Sequence, residues 1–503
     1  MSHNRSRNMA LLAAFLGWMF DGFEMGLFPL IGTPALTDLL AGSVAPEVLE
    51  KTVSNWFGVI IATFLVGAAT GGVFFGWLGD RIGRVKAMTF SIFTYAIFTG
   101  LCGFATEAWQ IAILRFIASL GMGGEWALGV ALVNELWTKG NRAWVAGAIG
   151  AAANIGYLLV ALLSLGMSAF IGTITGWFTS LGASQELNDY LFAHGAWRFL
   201  MISGAFPAIL IFIIRIFVPE SDKWEAEKKL GSTSHWSTPD LNGVLLGAVV
   251  AMFMIFAWSP MGFSAGWATA ITVVGFGVVI WGFLLPVRRY LNRSAAAGSM
   301  THESRLAIRK NLLIGATLAG IALLGTWGAA QHAPKWSATP GALDLHGHDP
   351  VKVRAWTQLA TAFGACVLAL LTPVVADLLN RRITYLLCCI FAMASSITFF
   401  RTNTELDTWF FVSAFLMGGL TASFYGFFPL YLPELFPTAV RATGQGFCFN
   451  VGRIIAAVGG LQFANLVGWF GNAVNAYSIL CSVYIVGMVL VWFAPETKGK
   501  KLV

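Results

Sequence analysis

The chain has 503 residues, of which 57% are hydrophobic and 11% are charged, and its mean hydropathy is +0.73. A soluble domain usually carries about 25% charged residues, so this composition excludes an ordinary globular enzyme and indicates a protein that has lipid as its solvent. The net charge of +7 comes mainly from short segments between apolar runs, which argues against a nucleic-acid-binding surface.

Apolar runs of about 20 residues, the length that a helix needs to cross a bilayer core of about 30 Å, recur along the chain. The runs do not alternate apolar and polar residues with period two, as the strands of a membrane barrel would. Fourteen helical spans are therefore predicted, including a hairpin of two spans with a turn signal at 259–262. In chain order they lie near 9–31, 54–78, 87–105, 109–136, 143–170, 197–217, 243–287 (the hairpin), 311–330, 355–376, 383–400, 408–430, 443–469 and 474–494.

The positive charges test this topology, because the cytoplasmic loops of membrane proteins carry an excess of Lys and Arg. Of the 31 such residues, 22 fall in the termini and in loops on the same side as the termini, five in loops on the other side, and four within spans. We therefore predict a multi-pass protein of the cell (plasma or inner) membrane with both termini in the cytoplasm.

The chain repeats its charge pattern once. An acid followed by basic residues stands after the second span, at Asp80, and again after the tenth, at Asp377. Glu135 and Glu434, after the fourth and twelfth spans, each precede an arginine by seven residues. Such a repeat indicates two six-helix halves with a substrate site between them. The predicted segments are an N-terminal bundle over 1–218, a cytoplasmic linker over 219–242, an inserted hairpin over 243–290, a basic cytoplasmic loop over 291–310 and a C-terminal bundle over 311–503.

Several loop sequences resemble those of the major facilitator superfamily. They are GWLGDRIGRVK at 76–86, the segment from Tyr431 to Gly444, PES at 219–221 and PETKG at 495–499. The resemblance implies two six-helix bundles and metabolite transport of the kind found in sialate or aromatic-acid proton symporters and organic-anion transporters. It also implies twelve spans, so the inserted hairpin is a departure, which some relatives share.

In the superfamily that the chain resembles, charged residues in these loops bridge the two halves when the cavity faces outward. Opening inward must break such contacts, so they act as a latch between two states. The residues expected to form the latch are Asp80, Arg81, Arg84, Glu135, Arg142, Asp377, Arg381, Arg382, Glu434 and Arg441.

Ionisable residues inside spans are costly and mark function. Asp21 and Glu24 lie in the middle of the first span, three residues apart and so on one helical face. Two carboxylates close together in a low dielectric cannot both ionise cheaply, so one should hold a proton at working pH. With Glu125 in the fourth span, they are the predicted proton-coupling residues. The alternative is a packed pair bound to backbone or to an arginine.

Arg453 lies about a dozen residues into its span, too deep to extend to the membrane surface. A substrate carboxylate held by two hydrogen bonds would neutralise it, and backbone carbonyls or water are the alternative. Arg115 stands about 15 Å from Glu125 along its helix, so Asp21 or Glu24 is its better partner. The predicted substrate-binding residues are Arg453, Arg115, Trp126, Tyr157 and Tyr425.

These features predict proton-coupled symport of a small organic anion, either a carboxylate or an acidic sugar such as sialate. A proton-coupled exporter, a neutral-sugar porter and a receptor without transport activity are the alternatives, although the fifth span lacks the Gly-Pro motif that is usual in exporters. The chain contains no glycine-rich nucleotide loop, so ATP does not drive the protein and we expect no cofactor. The expected partners are the anion, the proton and membrane lipid, with no nucleic acid and no obligate protein partner.

Overall fold

The computed structural model describes residues 3–137, 142–209, 214, 217–258, 262–461 and 463–500. Apart from an isolated β-bridge between Asp344 and Glu405, the regular structure of these residues is helical. The helices are α1 His3–Leu40, α2 Pro46–Ile82, α3 Arg84–Leu101, α4 Ala108–Leu136, α5 Arg142–Leu165, α6 Met167–Ser180, α7 Gln185–Ser203, α8 Asp222–Lys229, α9 Leu241–Trp258, α10 Ala265–Ala296, α11 His302–Gly328, α12 Ala333–Ser337, α13 Pro350–Leu378, α14 Arg381–Thr402, α15 Thr408–Tyr431, α16 Arg441–Leu461, α17 Phe463–Phe470, α18 Ala473–Cys481 and α19 Val483–Leu490.

Twelve helical stretches in the described part of the chain are long and apolar enough to cross a membrane. The prediction of an all-helical polytopic membrane protein is therefore confirmed. The predicted spans near 197–217 and 443–469 are not among the twelve, and each includes residues outside the described ranges. The count of fourteen stays a prediction.

The two halves of the chain meet along closely packed helices. Helix α2 of the first half packs against α16 of the second, and α5 packs against α13 and α15. Glycines allow these contacts: a Cβ at Gly446 would overlap the carbonyl oxygen of Gly72, and one at Gly150 would overlap the backbone of Tyr425. Helices can approach this closely only where one surface lacks side chains.

The inserted segment forms two helices, α9 and α10, that pack on each other and contact both α2 and α16. Residues 259–261 of the predicted turn between them lie outside the described residues. Apolar side chains such as Val249 and Val273 are 67% and 69% exposed, as lipid contact requires. The linker before α9 contains the short helix α8, which begins at the hydroxyl cap of Ser221.

One side of the molecule, called the basic face here, is where α2 ends and α16 begins. It carries Arg81, Arg84, Arg142, Arg381 and Arg441. Both termini approach it, because Arg7 stacks over Trp137 at the end of α4, while Glu496 contacts the start of α14. On the opposite face, α6 and the first part of α7 form an extension that was not predicted as a separate span, and α6 has no buried residue.

Candidate functional site

A pair of carboxyl groups lies at the centre of the first half. Asp21 of α1 and Glu125 of α4 are 0% and 1% exposed, and their side chains lie within hydrogen-bonding reach of each other. Neither carboxyl group finds another hydrogen-bond partner among the described residues. Two carboxyl groups can share a hydrogen bond only when one of them carries a proton, so this arrangement is chemically suited to holding one proton.

The position of Glu125 depends on Gly17, one helical turn before Asp21. A Cβ at Gly17 would overlap Oε1 of Glu125, so the carboxyl group occupies space that only glycine leaves open. Sequence reasoning missed Gly17, although its spacing of four residues from Asp21 places both on one face of α1.

Glu24 occupies a different environment from Asp21. Its Oε1 accepts a hydrogen bond at 2.5 Å from Nη1 of Arg115, and both side chains are buried. The Arg115 guanidinium also lies 4.3 Å from the ring centre of Phe28 and 4.9 Å from that of Phe64. Glu24 thus binds Arg115, one of the two pairings that the sequence suggested for this arginine, and Asp21 faces Glu125 instead of sharing a proton with Glu24. The role of these three acids in proton coupling stays a prediction.

Arg453 lies between the two halves and is 4% exposed. Within the described residues it forms no ion pair, and its Nε has no hydrogen-bond partner. It interacts electrostatically with Asp21, Tyr157 and Tyr425. The guanidinium is therefore buried beside one acid and two phenols, with hydrogen-bond donors left over for an anion.

Phe449 joins the two halves next to Arg453. Its ring stacks on Trp126 at 3.8 Å between ring centres with an interplanar angle of 11°. Trp18 and Tyr425 contact it edge-on, and Arg453 lies 5.5 Å from its ring centre. Sequence reasoning selected Trp126 and Tyr425 but not Phe449, whose only sequence signal is its position one helical turn before Arg453.

A cavity of about 50 Å³ extends from this point toward the opposite face. Tyr157 of α5 and Tyr425 of α15 line it, and Gln331, beyond the end of α11, lies at its exposed rim. The other polar lining groups are hydroxyls and amides: Asn154, Thr326, Gln358, Thr361 and Thr421. Such a lining can hydrogen-bond a small polar molecule while Arg453 lies close to its inner end.

Asp80 and Arg84 connect the two halves on the basic face. Asp80 pairs with Arg84 at 3.0 Å and accepts hydrogen bonds from the backbone N–H and the hydroxyl of Thr443. Arg84 also binds Glu135 at 3.0 Å, and Glu135 in turn binds Arg441 of the second half at 3.0 Å. All four charged side chains are buried, so water is excluded from this contact between the two halves.

A second network centres on Glu434. Arg142 of the first half binds Glu434 at 3.0 Å, and Arg381 of the second half binds it through two nitrogens, at 2.9 and 3.0 Å. Arg142 donates to Asn134 and not to Glu135, which the spacing of seven residues had suggested. Asn134, which sequence reasoning missed, donates across the halves to the carbonyl of Pro429 at 3.0 Å.

Four of the expected latch residues make their described contacts without reaching the other half, and one of them is Arg381, which binds Glu434 of its own half. Arg81 donates to the Thr238 hydroxyl in the linker, and Arg382 donates to the carbonyl of Ala494. Asp377 binds Arg381 within its own half, and its side chain is 49% exposed.

The PES and PET segments cap helices at the basic face. Glu220 accepts from the N–H of Arg84 at the start of α3 at 2.9 Å, and Glu496 accepts from the N–H of Arg381 at the start of α14 at 3.2 Å. Burial raises the pKa of Glu220 by disfavouring its charged form, against the opposing effect of its backbone donors. Burial acts in the same sense on Glu496, but its backbone donors outweigh it and hold the pKa below the ordinary value.

Comparison with known proteins gives consistent matches along the chain. Residues 9–244 and 349–503 match the family described as sugar (and other) transporter. The "Probable 4-methylmuconolactone transporter" of Cupriavidus pinatubonensis is 26% identical over 97% of this chain and 90% of its own length. The cis,cis-muconate transport protein of Acinetobacter baylyi is 24% identical over 97% and 94%. The solved proton:xylose symporter XylE, bound to 6-bromo-6-deoxy-D-glucose, has the same fold, with a TM-score of 0.65 over 99% of this chain and 98% of that chain at 17% identity.

Proposed function

Because the chain belongs to the sugar (and other) transporter family of the major facilitator superfamily, we propose that it is a symporter that moves a small organic anion together with a proton. The family and the relatives make it a multi-pass membrane transporter of small organic molecules and not an enzyme. The relatives named for muconate and 4-methylmuconolactone support a small organic acid as the substrate class.

The observation that carries the proposal is the environment of Arg453. An unpaired guanidinium inside a membrane protein is costly, by at least about 2.5 kcal/mol on insertion scales. Arg453 has no ion-pair partner among the described residues, and it lies close to the cavity-lining Tyr157 and Tyr425. A substrate carboxylate would supply the missing charge and accept two hydrogen bonds from the guanidinium fork.

The carboxyl pair provides a route for coupling to protons. When Asp21 is ionised, its negative charge partly offsets Arg453 and competes with a substrate anion for it. When the carboxyl group of the pair that is still ionised takes up a proton, the pair loses its negative charge and the positive charge of Arg453 becomes available to the substrate. Proton and anion then favour each other's binding, and linkage makes that effect reciprocal.

In this proposal the basic face is cytoplasmic, both termini lie in the cytoplasm of a cell with the protein in its plasma or inner membrane, and the chain has fourteen spans including the α9–α10 hairpin. The excess of Lys and Arg on the side of the termini supports this orientation. The contacts of Arg84, Glu135 and Arg441 close the cytoplasmic side, so the state described here faces outward or is occluded. Transport requires these contacts to break and re-form in each cycle.

The test uses the purified full-length protein in proteoliposomes with the membrane potential clamped. An inward pH gradient should drive uphill accumulation of radiolabelled cis,cis-muconate or another small carboxylate from a panel, and should not drive xylose. Arg453→Lys keeps the charge but loses the planar guanidinium fork. The anion concentration that gives half-maximal transport should therefore rise by roughly tenfold to a hundredfold, as expected for a lost hydrogen bond to a charged group.

The control is Arg354→Lys, a substitution at an exposed position on the opposite face. This variant should transport the anion like the wild type. Absence of gradient-driven uptake for every carboxylate in the panel would refute anion symport. Unchanged half-saturation in Arg453→Lys would show that the anion is bound elsewhere.

A further inference from the structure

A cluster of three arginines lies where α10 and α11 approach the basic face. Arg288 is near the end of α10, and Arg305 and Arg309 are one turn apart on α11. The charges of Arg305 and Arg288 both act on Arg309, so Arg309 lies within electrostatic range of the other two guanidinium groups. Like charges held together raise the free energy of the folded protein unless an anion offsets them.

Two further arginines of α10 lie beside an acid, whereas these three do not. Asp240 binds Arg293 and lies 3.8 Å from Arg289. Among the described residues, Arg288, Arg305 and Arg309 take part in no ion pair, and Glu303, the acid in the first turn of α11, forms none either.

The hydrogen bonding of the cluster is also incomplete. Arg309 donates to the side-chain oxygen of Asn292 at 3.1 Å, which positions its guanidinium between the two helices. The Nε of Arg305 is buried and has no hydrogen-bond partner among the described residues. A loop arginine that only follows the positive-inside rule would keep all its nitrogens in water. A buried donor beside two further cations indicates a site for an oxyanion.

We infer that Arg288, Arg305 and Arg309 bind the phosphate group of an anionic phospholipid. The surface of α11 next to the cluster is apolar, with Leu306 and Leu313 50% and 54% exposed. These leucines are three residues before and four residues after Arg309, so they lie on its side of the helix. An acyl chain can follow this strip while the arginines hold the phosphate, and a free phosphate ion would leave the strip unused. Basic pockets between helices on the cytoplasmic side of a membrane are suited to such headgroups.

The experiment measures lipid bound to the full-length protein. Protein in mixed micelles containing equal amounts of phosphatidylglycerol and phosphatidylcholine is examined by native mass spectrometry. We expect the wild type to retain phosphatidylglycerol preferentially. The double variant Arg305→Gln, Arg309→Gln should reduce the ratio of phosphatidylglycerol to phosphatidylcholine by roughly tenfold or more, the size expected for the loss of two basic residues.

The control is the double variant Lys352→Gln, Arg354→Gln, which removes two exposed positive charges on the opposite face. The milder Arg305→Lys keeps the charge but loses the Nε donor and the planar guanidinium fork, so it should show an intermediate ratio while preserving the fold. If the ratio of bound phosphatidylglycerol to phosphatidylcholine falls equally in the control, or does not fall in the arginine variants, the proposed site is wrong. Displacement of the lipid by millimolar inorganic phosphate as efficiently as by phosphatidylglycerol would show a soluble-anion site and would overturn the assignment to lipid.

Discussion

The carboxylate of Asp80 accepts two hydrogen bonds from Thr443, one from its backbone N–H at 2.8 Å and one from its hydroxyl at 2.6 Å. Asp80 lies near the end of α2 in the first half, and Thr443 lies in the first turn of α16 in the second half. The carboxylate therefore serves as an anionic cap for a helix of the opposite half. The first N–H groups of a helix lack acceptors within the helix, and they and the helix dipole both favour a negative charge at this end.

Asp80→Asn should shift the equilibrium toward opening of the basic face, because the amide keeps an acceptor but loses the charge. A hydrogen bond to a charged group contributes about 1.5–3 kcal/mol, so the ratio of open to closed molecules should rise roughly tenfold to a hundredfold. Spin labels are attached at Lys86→Cys and Leu378→Cys in a protein whose native cysteines are replaced. Pulsed electron paramagnetic resonance then measures the distance between the labels, which reports the separation of the two halves.

Asp377→Asn is the matched control for this substitution. Asp377 has the same spacing from Arg381 as Asp80 has from Arg84, and each ion pair lies within one half, but the described contacts of Asp377 do not include one with the other half, as Asp80 has with Thr443. We expect its distance distribution to match that of the wild type. Equal broadening in both variants would show that the contact with Thr443 does not stabilise the closed state.

Glu24→Gln should destabilise the protein mainly by leaving the buried Arg115 without its counter-charge. Removing one partner of a buried ion pair typically costs about 3–5 kcal/mol. The double variant Glu24→Gln, Arg115→Leu should recover part of that loss, which thermal unfolding in detergent can measure. If Glu24→Gln unfolds like the wild type yet loses proton-driven accumulation, Glu24 carries the coupled proton and its structural role is refuted.

Gly17→Ala should uncouple transport by displacing the Glu125 carboxyl group from Asp21. The added methyl group would occupy the position of Oε1 of Glu125, so the shared proton site would be lost while the anion site at Arg453 is preserved. In proteoliposomes, exchange of labelled anion should continue and uphill accumulation should fall at least about tenfold. Gly277→Ala, a helical glycine whose Cβ would meet open space, should behave like the wild type. Normal accumulation in Gly17→Ala would exclude the Asp21–Glu125 pair from coupling.

Asp240→Asn should release the linker from the end of α10. Asp240 is fully buried and binds Arg293, while Trp236 of the linker stacks on Tyr290 at 4.3 Å. Loss of the charge weakens the contact between Asp240 and Arg293 that attaches residues 232–240 to α10. Amide hydrogen exchange in these residues should therefore accelerate at least about tenfold. The exposed Asp222→Asn is the control. Unchanged exchange in Asp240→Asn would mean that the aromatic stack alone anchors the linker.

Much of the architecture could be predicted from local properties of the chain. Apolar length and loop charge identified the helical membrane protein, and the motifs around Asp80 and Glu434 identified the superfamily, which the family match confirmed. These properties are readable because each depends on residues that are neighbours in sequence. Burial of Asp21 and Arg453 was also expected, since both stand far from the ends of apolar runs.

The sequence by itself determined which residues enter the membrane and which carry charge there, because hydropathy and charge are properties of short segments. The sequence narrowed the partner of Arg115 to Asp21 or Glu24, and only the tertiary structure decided which acid each charged group contacts. Glu24 stands three residues from Asp21 yet binds Arg115, 91 positions away, and Asp21 faces Glu125 on another helix. A side chain in a membrane interior pairs with the group that helix packing brings within about 3 Å of it, since only such a contact replaces the lost hydration. That packing depends on glycines such as Gly17, whose effect appears only when two helices meet.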